Sequence, residues 1–406
     1  MKPELIPSVP FCIYGAGIVA TSIYTAIKTL YNKTPLFFLI SDVTEGKCDE
    51  EPAQIDGIAV KRFSEWRNEL QAANKHDGSG INRLMSGSDY SSTSSTLPVY
   101  YLVAIPETHH PAVVENLHSL GIEDSNTILF TNELENKFME DYYSSLSGCK
   151  TVLSVTGSDV SFDAGNEINQ TNGQNGDIQV FQAKCHVDRP LQNTKENPAY
   201  VYPIQVGADL TDKVITELRD NEGDNISAKN RNYCELTATY YAWKNCSADY
   251  KGLCHYRRIF DIGTEQMQAL LDKKSEWDVI LPYPSIHYPN ISTQHLRYIK
   301  DADWNAMLTA LKETAPDYLE TYNNLVSSGE KYFYNYNMLI ARAEIFDDYC
   351  SFLFKVLERA EELTTPKGAE RADRFAGYMG ENLTTLYFLK NRDKINILHA
   401  GKIWLT

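Results

Sequence analysis

Apolar residues in this chain fall into short runs and helical stripes, never into one long stretch. Phe11–Tyr14 (FCIY) is an apolar run that meets a glycine turn, the pattern of a buried strand. Residues 18–30 carry a helical pattern, and 36–40 reads as a second strand. The VYYLVAI run at 99–105 predicts another buried strand, followed by a helix over 112–120 and a strand over 127–130. Strands that alternate with helices imply a parallel sheet with helices laid over it. Further along, 178–183, 252–260, 278–282 and the tyrosine-rich 332–341 read as strands. Helices are predicted over 233–245, 303–314, 344–363 and 371–389. The 344–363 helix rests on one stripe of Phe346, Tyr349, Cys350, Leu353 and Val356. Two stretches break the pattern: 74–97, rich in Ser, Gly and Asn, and the polar run 157–177. The expected fold class is α/β with two domains, one over 1–146 and one over 178–406, joined by a polar linker over 147–177.

A chain of 406 residues is long for a single core, which agrees with two domains. No run approaches the roughly eighteen apolar residues of a membrane-spanning helix. The first residues lack the basic-then-apolar order of a secretory leader, so a cytoplasmic protein is expected. A net charge of −16 argues against nucleic-acid binding, which needs a cationic surface. It also disfavours broad adsorption to anionic membranes, leaving room for a local basic pocket around a phosphate. The eight cysteines show no CxxC pair and no zinc-like spacing. They read as small buried thiols of a reducing compartment.

Gly15-Ala16-Gly17-Ile18-Val19-Ala20 matches GxGxxA between a strand and a helix. Such glycines let a pyrophosphate approach the helix N-terminus, and Asp42, after the second strand, is placed to accept from a ribose hydroxyl. The turn predicts a Rossmann-like N-terminal domain. Gly15, Gly17, Ala20 and Asp42 are candidate nucleotide contacts, although the same turn also serves packing alone. His109 and His110 follow the 99–105 strand, where open α/β sheets place ligands, or else lie on a plain exposed loop.

Three later segments are unusual for scaffolding: KCHVDR at 184–189, GDNISAKNRNYCE at 223–235 and GLCHYRRIF at 252–260. On one extended strand His255 and Arg257 point to one face, Tyr256 and Arg258 to the other. Adjacent arginines among apolar residues need an anionic partner, either carboxylates of the fold or a diphosphate held by arginine forks. Lys229 and Arg231 precede a helix start where a phosphate could sit, or form an exposed basic loop. Asn232 and Glu235 have capping-box spacing, which would leave Glu235 a structural role only.

The run DNISAKNRNYCELTATYYAWKN followed by GLCHYRRIF resembles the signature of a bacterial capsular-polysaccharide and O-antigen glycosyltransferase family, first catalogued as a domain of unknown function. YPIQVGA at 202–208, NMLIA at 337–341, FDDYCSFLF at 346–354 and the helix carrying Arg374 and Glu381 resemble further motifs of that family in order, over about 178–395. Departures are Tyr241 for a usual tryptophan, Asn382 for a usual arginine, and a loose match at CHVDRPL.

The resemblance implies a GT-A-type C-terminal domain that moves a hexose from a nucleotide sugar, with a UDP-sugar first, to a lipid-linked or oligosaccharide acceptor. It implies visits to the inner membrane without spanning it. His186, Asp224, Asn225, Lys229, Asn230, Arg257 and Arg258 are the candidates for the donor diphosphate and nucleotide. Glu235, Tyr256, Asn337 and Arg374 are the candidates for sugar or acceptor. Glu381 is the first candidate base and His255 the second, with an ion pair to Arg374 as the structural alternative for Glu381. No metal ligand is assigned, and a divalent ion stays open without a convincing DxD. Asp301-Ala302-Asp303 has the letters but opens a helix, where Asp303 reads as an N-cap. A nucleotide-sugar-modifying NAD(P)-dependent oxidoreductase working through the glycine turn is the alternative activity, and a non-catalytic sugar-nucleotide sensor a third.

Overall fold

A computed structural model describes residues 9–42, 52–77, 99–157, 177–191, 196–366 and 371–405. The chain divides into two compact units, Met1–Tyr142 with Ile286–Pro289, and Tyr143–Ser285 with Asn290–Thr406.

The first unit is a six-stranded sheet of β1 (Phe11–Tyr14), β2 (Phe38–Ile40), β3 (Gln54–Ile55), β4 (Ile58–Arg62), β5 (Tyr100–Val103) and β6 (Thr127–Leu129). The order is β3-β4-β2-β1-β5-β6, all parallel but for the β3–β4 hairpin. Its predicted strands are present: Phe11–Tyr14 has the expected length, and the other three are shorter by one to three residues than the apolar runs suggest. Cys12, Tyr14, Leu39, Tyr101 and Val103 point into one core, where they meet Trp66 and Leu117 from helices Phe63–Asp77 and His110–Ser119.

The second unit is built on a ten-stranded sheet. Its strands are β7 (Lys150–Thr151), β8 (Ile178–Lys184), β9 (Val201–Gln205), β10 (Leu218–Arg219), β11 (Tyr250–His255), β12 (Arg258–Phe260) and β13 (Val279–Pro282). The short β14 (Ser285–Ile286) and β15 (Tyr332–Phe333) stand outside that sheet, and β16 (Leu339–Arg342), β17 (Ile397–Ala400) and β18 (Lys402–Trp404) complete it. The main path runs β10-β9-β8-β11-β16-β13-β17-β7. Only β16 on that path is antiparallel to its neighbours, β11 and β13. The carboxyl ends of β8, β11 and β13 therefore share one edge with the start of β16.

Alternation along the strands separates two cores. Phe181, Ala183, Leu253, Leu339 and Ala341 face the helices Leu236–Asn245, Ala343–Leu363 and Phe375–Asn391. Val180, Tyr250, Cys254, Ile280, Ile340 and Leu398 face the other side. The stripe read from 344–363 is buried as expected.

Residues 147–157, expected as linker, instead contribute β7 to the sheet and a helix, Val152–Thr156, closed by a capping box of Thr151 and Ser154. The rest of that expected linker, 158–176, and most of the serine-rich stretch, 78–98, lie outside the described residues. Among the described residues no helix is long and apolar enough to cross a membrane.

Candidate functional site

Three predicted elements of the second unit are broken, and the breaks meet at the carboxyl edge of the sheet. The 233–245 helix splits at Cys234, whose φ of 51° is left-handed, into Asn230–Tyr233 and Leu236–Asn245. The 332–341 strand is interrupted by Tyr336 (φ 75°) and Asn337 (φ 50°). The last predicted helix begins at Phe375, behind Arg374 at φ 64°. Left-handed backbone costs a side-chain-bearing residue of order 1–3 kcal/mol and persists only where surrounding contacts hold it. Four of the six such residues among those described belong to this one edge.

The Tyr336–Asn337 turn ties three candidate groups together. The Tyr336 backbone N–H donates to Glu381 Oε1 (2.8 Å), while its carbonyl accepts from His255 Nε2 (2.8 Å). A carbonyl only accepts, so Nε2 carries the imidazole hydrogen. Asn337 Nδ2 donates to Glu235 Oε1 (2.7 Å) and to the Gly377 carbonyl (3.1 Å). Its Oδ1 accepts from Thr384 (3.3 Å). Gly380 lets the turn approach, because a Cβ there would press on Leu236 and Asn337. The amide of Asn337 is thus spent inside the fold, where it orients Glu235 rather than offering itself to a sugar hydroxyl.

Glu235 is buried and accepts no helix-capping bond, so the capping-box expectation gives way to the contacts made by its side chain. Burial raises its pKa, but His255, 3.6 Å away, and the Asn337 amide outweigh that and pull it down to about 2. Glu381 goes the other way. Burial and the neighbouring Glu235 charge outweigh its bonds from the Tyr336 N–H and Gln294 and the pull of Arg258, and its pKa rises to about 7. The ion pair with Arg374, the structural alternative for this residue, does not form: Oε2 accepts from Gln294 Nε2 (2.7 Å), and Arg374 Nε lies on Cys234 Sγ (3.2 Å).

The predicted 252–260 strand is a hairpin. β11 ends at His255, Tyr256 and Arg257 make the turn, and Arg258 pairs directly opposite His255. Opposed residues of an antiparallel pair share a face, so His255 and Arg258 are neighbours and the face assignment from simple alternation fails. Trp404 on β18 is opposite Arg258 in turn. The Arg258 guanidinium lies in the corner formed by the Tyr336 ring (4.2 Å) and the Trp404 ring (4.1 Å), which meet edge to face. The Nε atoms of Arg257 and Arg258 are buried without a hydrogen-bond partner. Burial lowers the Arg258 pKa, the adjacent Arg257 adds to this, and Tyr336, Glu381 and Glu235 oppose it. After β8, Asp188 accepts from the Cys185 N–H (2.7 Å) and sits within electrostatic reach of His255, Arg257 and Arg374.

The remaining donor candidates are occupied elsewhere. Lys229 pairs with Glu361 (2.7 Å), and Asp224 is exposed and accepts from Tyr240 (3.3 Å). Asn225 closes its own turn on Gly223 and Ser227, and Asn230 bonds the Cys234 carbonyl and Thr237. Asn225 and Asn230 thus order the 223–235 segment, Lys229 ties it to the Ala343–Leu363 helix, and Asp224 meets Tyr240 on the 236–245 helix. His186 contacts the Cys185 thiol (3.8 Å), and Tyr256 packs under Arg257 (5.1 Å). Asp303 is not an N-cap: both its oxygens are held by the Arg371 fork (2.6 and 2.5 Å). Among the described residues no three His, Cys, Asp or Glu side chains are grouped to hold a metal ion. Cys234, Gln294, Tyr336 and Trp404 were not singled out in the sequence, because nothing in residue type announces a left-handed backbone or a partner far along the chain.

In the first unit, Gly15 (φ 128°) is required by packing, since a Cβ would collide with the Ala104 carbonyl. A Cβ on Gly17 would meet open space. Asp42 is exposed, and its Oδ1 accepts from the Ser64 N–H (3.0 Å) and hydroxyl (2.7 Å). His110 Nε2 bonds the Ile105 carbonyl (3.2 Å), and the ring is buried.

No curated protein matches the chain. Among solved structures it is similar to the apo structure of WbbM, a bifunctional glycosyltransferase, with 24% identity over 56% of this chain and a TM-score of 0.49. The similarity covers 45% of that structure's chain, less than half its length. Residues 185–392, which contain every element of the site except Trp404, match the family described as "Domain of unknown function (DUF4422)", and the chain belongs to that family.

Proposed function

We propose that this chain is a glycosyltransferase that moves a hexose from a nucleoside-diphosphate sugar, UDP-hexose first, to a lipid-linked or oligosaccharide acceptor of capsule or O-antigen synthesis. The observation that carries the reading is the pairing, at one sheet edge, of a carboxyl group whose pKa is raised to about 7 with two adjacent arginines whose Nε atoms are buried without a hydrogen-bond partner. Ligands of open α/β sheets bind at this edge.

In this reading the diphosphate lies against Arg257 and Arg258, which meet its charge as it grows during bond cleavage. Glu381 accepts the proton of the acceptor hydroxyl. The acceptor oxygen forms its bond to the anomeric carbon, and the sugar–phosphate bond breaks with its electron pair leaving on the diphosphate. A base with a pKa of about 7 is matched to that task at neutral pH. Glu235 stays ionised and holds His255, consistent with two carboxyls whose environments drive their pKa values apart.

Thermal shifts with UDP, UDP-hexoses, GDP-mannose, NAD and NADP test the reading, each with and without Mn²⁺, followed by a donor-hydrolysis assay. UDP or its sugars are expected to stabilise the protein, and R258A to lose that stabilisation. E381Q is expected to bind donor normally and lose about 10²–10⁴-fold in kcat. Activity of E381Q within threefold of the parent, or stabilisation by NAD or NADP alone, overturns the proposal.

A further inference from the structure

The site contains two buried amides whose polarity is fixed from one end. Asn382 Nδ2 lies 3.0 Å from the Tyr378 carbonyl, which only accepts. The amide nitrogen of Asn382 must therefore face that way, and its second N–H reaches Gln294 Oε1 (2.6 Å). With its oxygen so engaged, Gln294 has only Nε2 to present to Glu381 Oε2 (2.7 Å). Gln294 and Asn382 are both buried, so water cannot replace either bond without cost. Neither side chain is part of the diphosphate or proton chemistry described above.

We propose that Gln294 and Asn382 are positioning residues. A one-way amide relay from the Tyr378 carbonyl holds Glu381 under an N–H donor at Oε2, while the Tyr336 N–H holds Oε1. The proposal rests on Glu381 being the base. The relay does two things for a base. It fixes the carboxyl plane, leaving the remaining lone pairs of each oxygen in set directions. It also favours the ionised form, opposing burial and Glu235. Were Gln294 to turn over, its oxygen would face Glu381 and the carboxyl would have to keep a proton to bond it.

The charged and titratable groups facing Glu381 come from four elements: Cys234 and Glu235 before the 236–245 helix, Arg258 on β12, Tyr378 on its own helix, and His255 on β11 through Glu235. His295, beside Gln294, is stacked on Trp304 (3.7 Å) with its pKa lowered to about 4, and stays neutral through the relevant range.

The test is an infrared pH titration of the full-length protein, with the Glu381 carboxyl band assigned by its loss in E381Q, alongside the pH profile of kcat/KM. Q294M and N382L are each expected to raise the Glu381 midpoint by about one pH unit, and the acid limb of kcat/KM is expected to follow. UDP stabilisation should be unchanged. Because Asn382 acts only through Gln294, the double variant should shift no further than Q294M alone. If Q294M does not fold, N382L and N382A, which leave residue 294 intact, are expected to give the same upward shift. An unmoved midpoint in N382L, or additive shifts in the double variant, overturns the relay. Full activity in E381Q sinks the base assignment instead, and the infrared shifts then stand or fall by themselves.

Discussion

At the scale of single residues, Glu235 and Glu381 show how position divides one chemistry into two roles. The same carboxyl group is held near a pKa of 2 where an imidazole and an amide serve it, and near 7 where burial and a like charge dominate. The consequences for stability have opposite signs. Glu235, depressed below its unfolded value, contributes stability that is present above about pH 4.5 and lost as pH falls toward 2. Glu381 is raised, so the folded state holds a proton that the unfolded chain releases, and stability falls as pH rises from about 4.5 through 7. Each shift corresponds to about 3 kcal/mol. E381Q removes the second dependence. Its stability relative to the parent is expected to rise between pH 5 and 8, whereas E235Q is destabilised across that range. Parallel urea melts at several pH values check this, and an E381Q curve that tracks the parent would contradict the raised pKa.

At the scale of elements, the sequence located strands and helices but not their breaks. The Phe346-to-Val356 stripe was legible because burial of one helix face repeats every 3.6 residues. The apolar pattern runs on through Cys234, through His255 to Phe260 and through Tyr336, where the backbone does not. Those turns are imposed by partners distant in the chain: Glu381 on Tyr336, Glu235 on Asn337, Arg374 on Cys234. Local propensity carries no record of them. The strain itself is testable at Cys234, whose φ and ψ of 51° and −129° suit glycine. C234A keeps the strain and loses the thiol, while C234G loses both. C234G is therefore expected to be more stable than C234A by about 1 kcal/mol, although both lack the contact that holds Arg374. Chemical denaturation measures the difference, and equal stabilities would mean that Cys234 carries no strain. A loss of donor turnover in both variants would place Arg374 in the working geometry.

At the scale of the whole molecule, the question is which of two units holds the nucleotide. The sequence offers two phosphate-binding signals: the GxGxxA turn of the first unit and the HYRR hairpin of the second. In the first, Gly15 packs against the Ala104 carbonyl and Asp42 accepts from Ser64, and the proposed function does not use the turn. The second was legible as residue types, yet its arrangement was not. His255 and Arg258 become neighbours only through a turn, and Trp404 joins them from the last strand. Gly17 allows the two signals to be separated in one protein. Its φ of −81° is open to any residue, a Cβ would meet nothing within 4 Å, and it stands at the N-cap of the Ile18–Tyr31 helix without a side-chain capping bond. G17D should therefore fold and cap that helix, gaining a few tenths of a kcal/mol, while placing a carboxylate where a pyrophosphate would have to lie. With UDP at about one hundred times its Kd, bound protein gains roughly 2.7 kcal/mol. That gain should survive G17D in full and vanish in R258A, as read by calorimetry on the two variants side by side. Loss of the gain in G17D alone would move the nucleotide to the first unit and leave the arginine pair without the ligand assigned to it here.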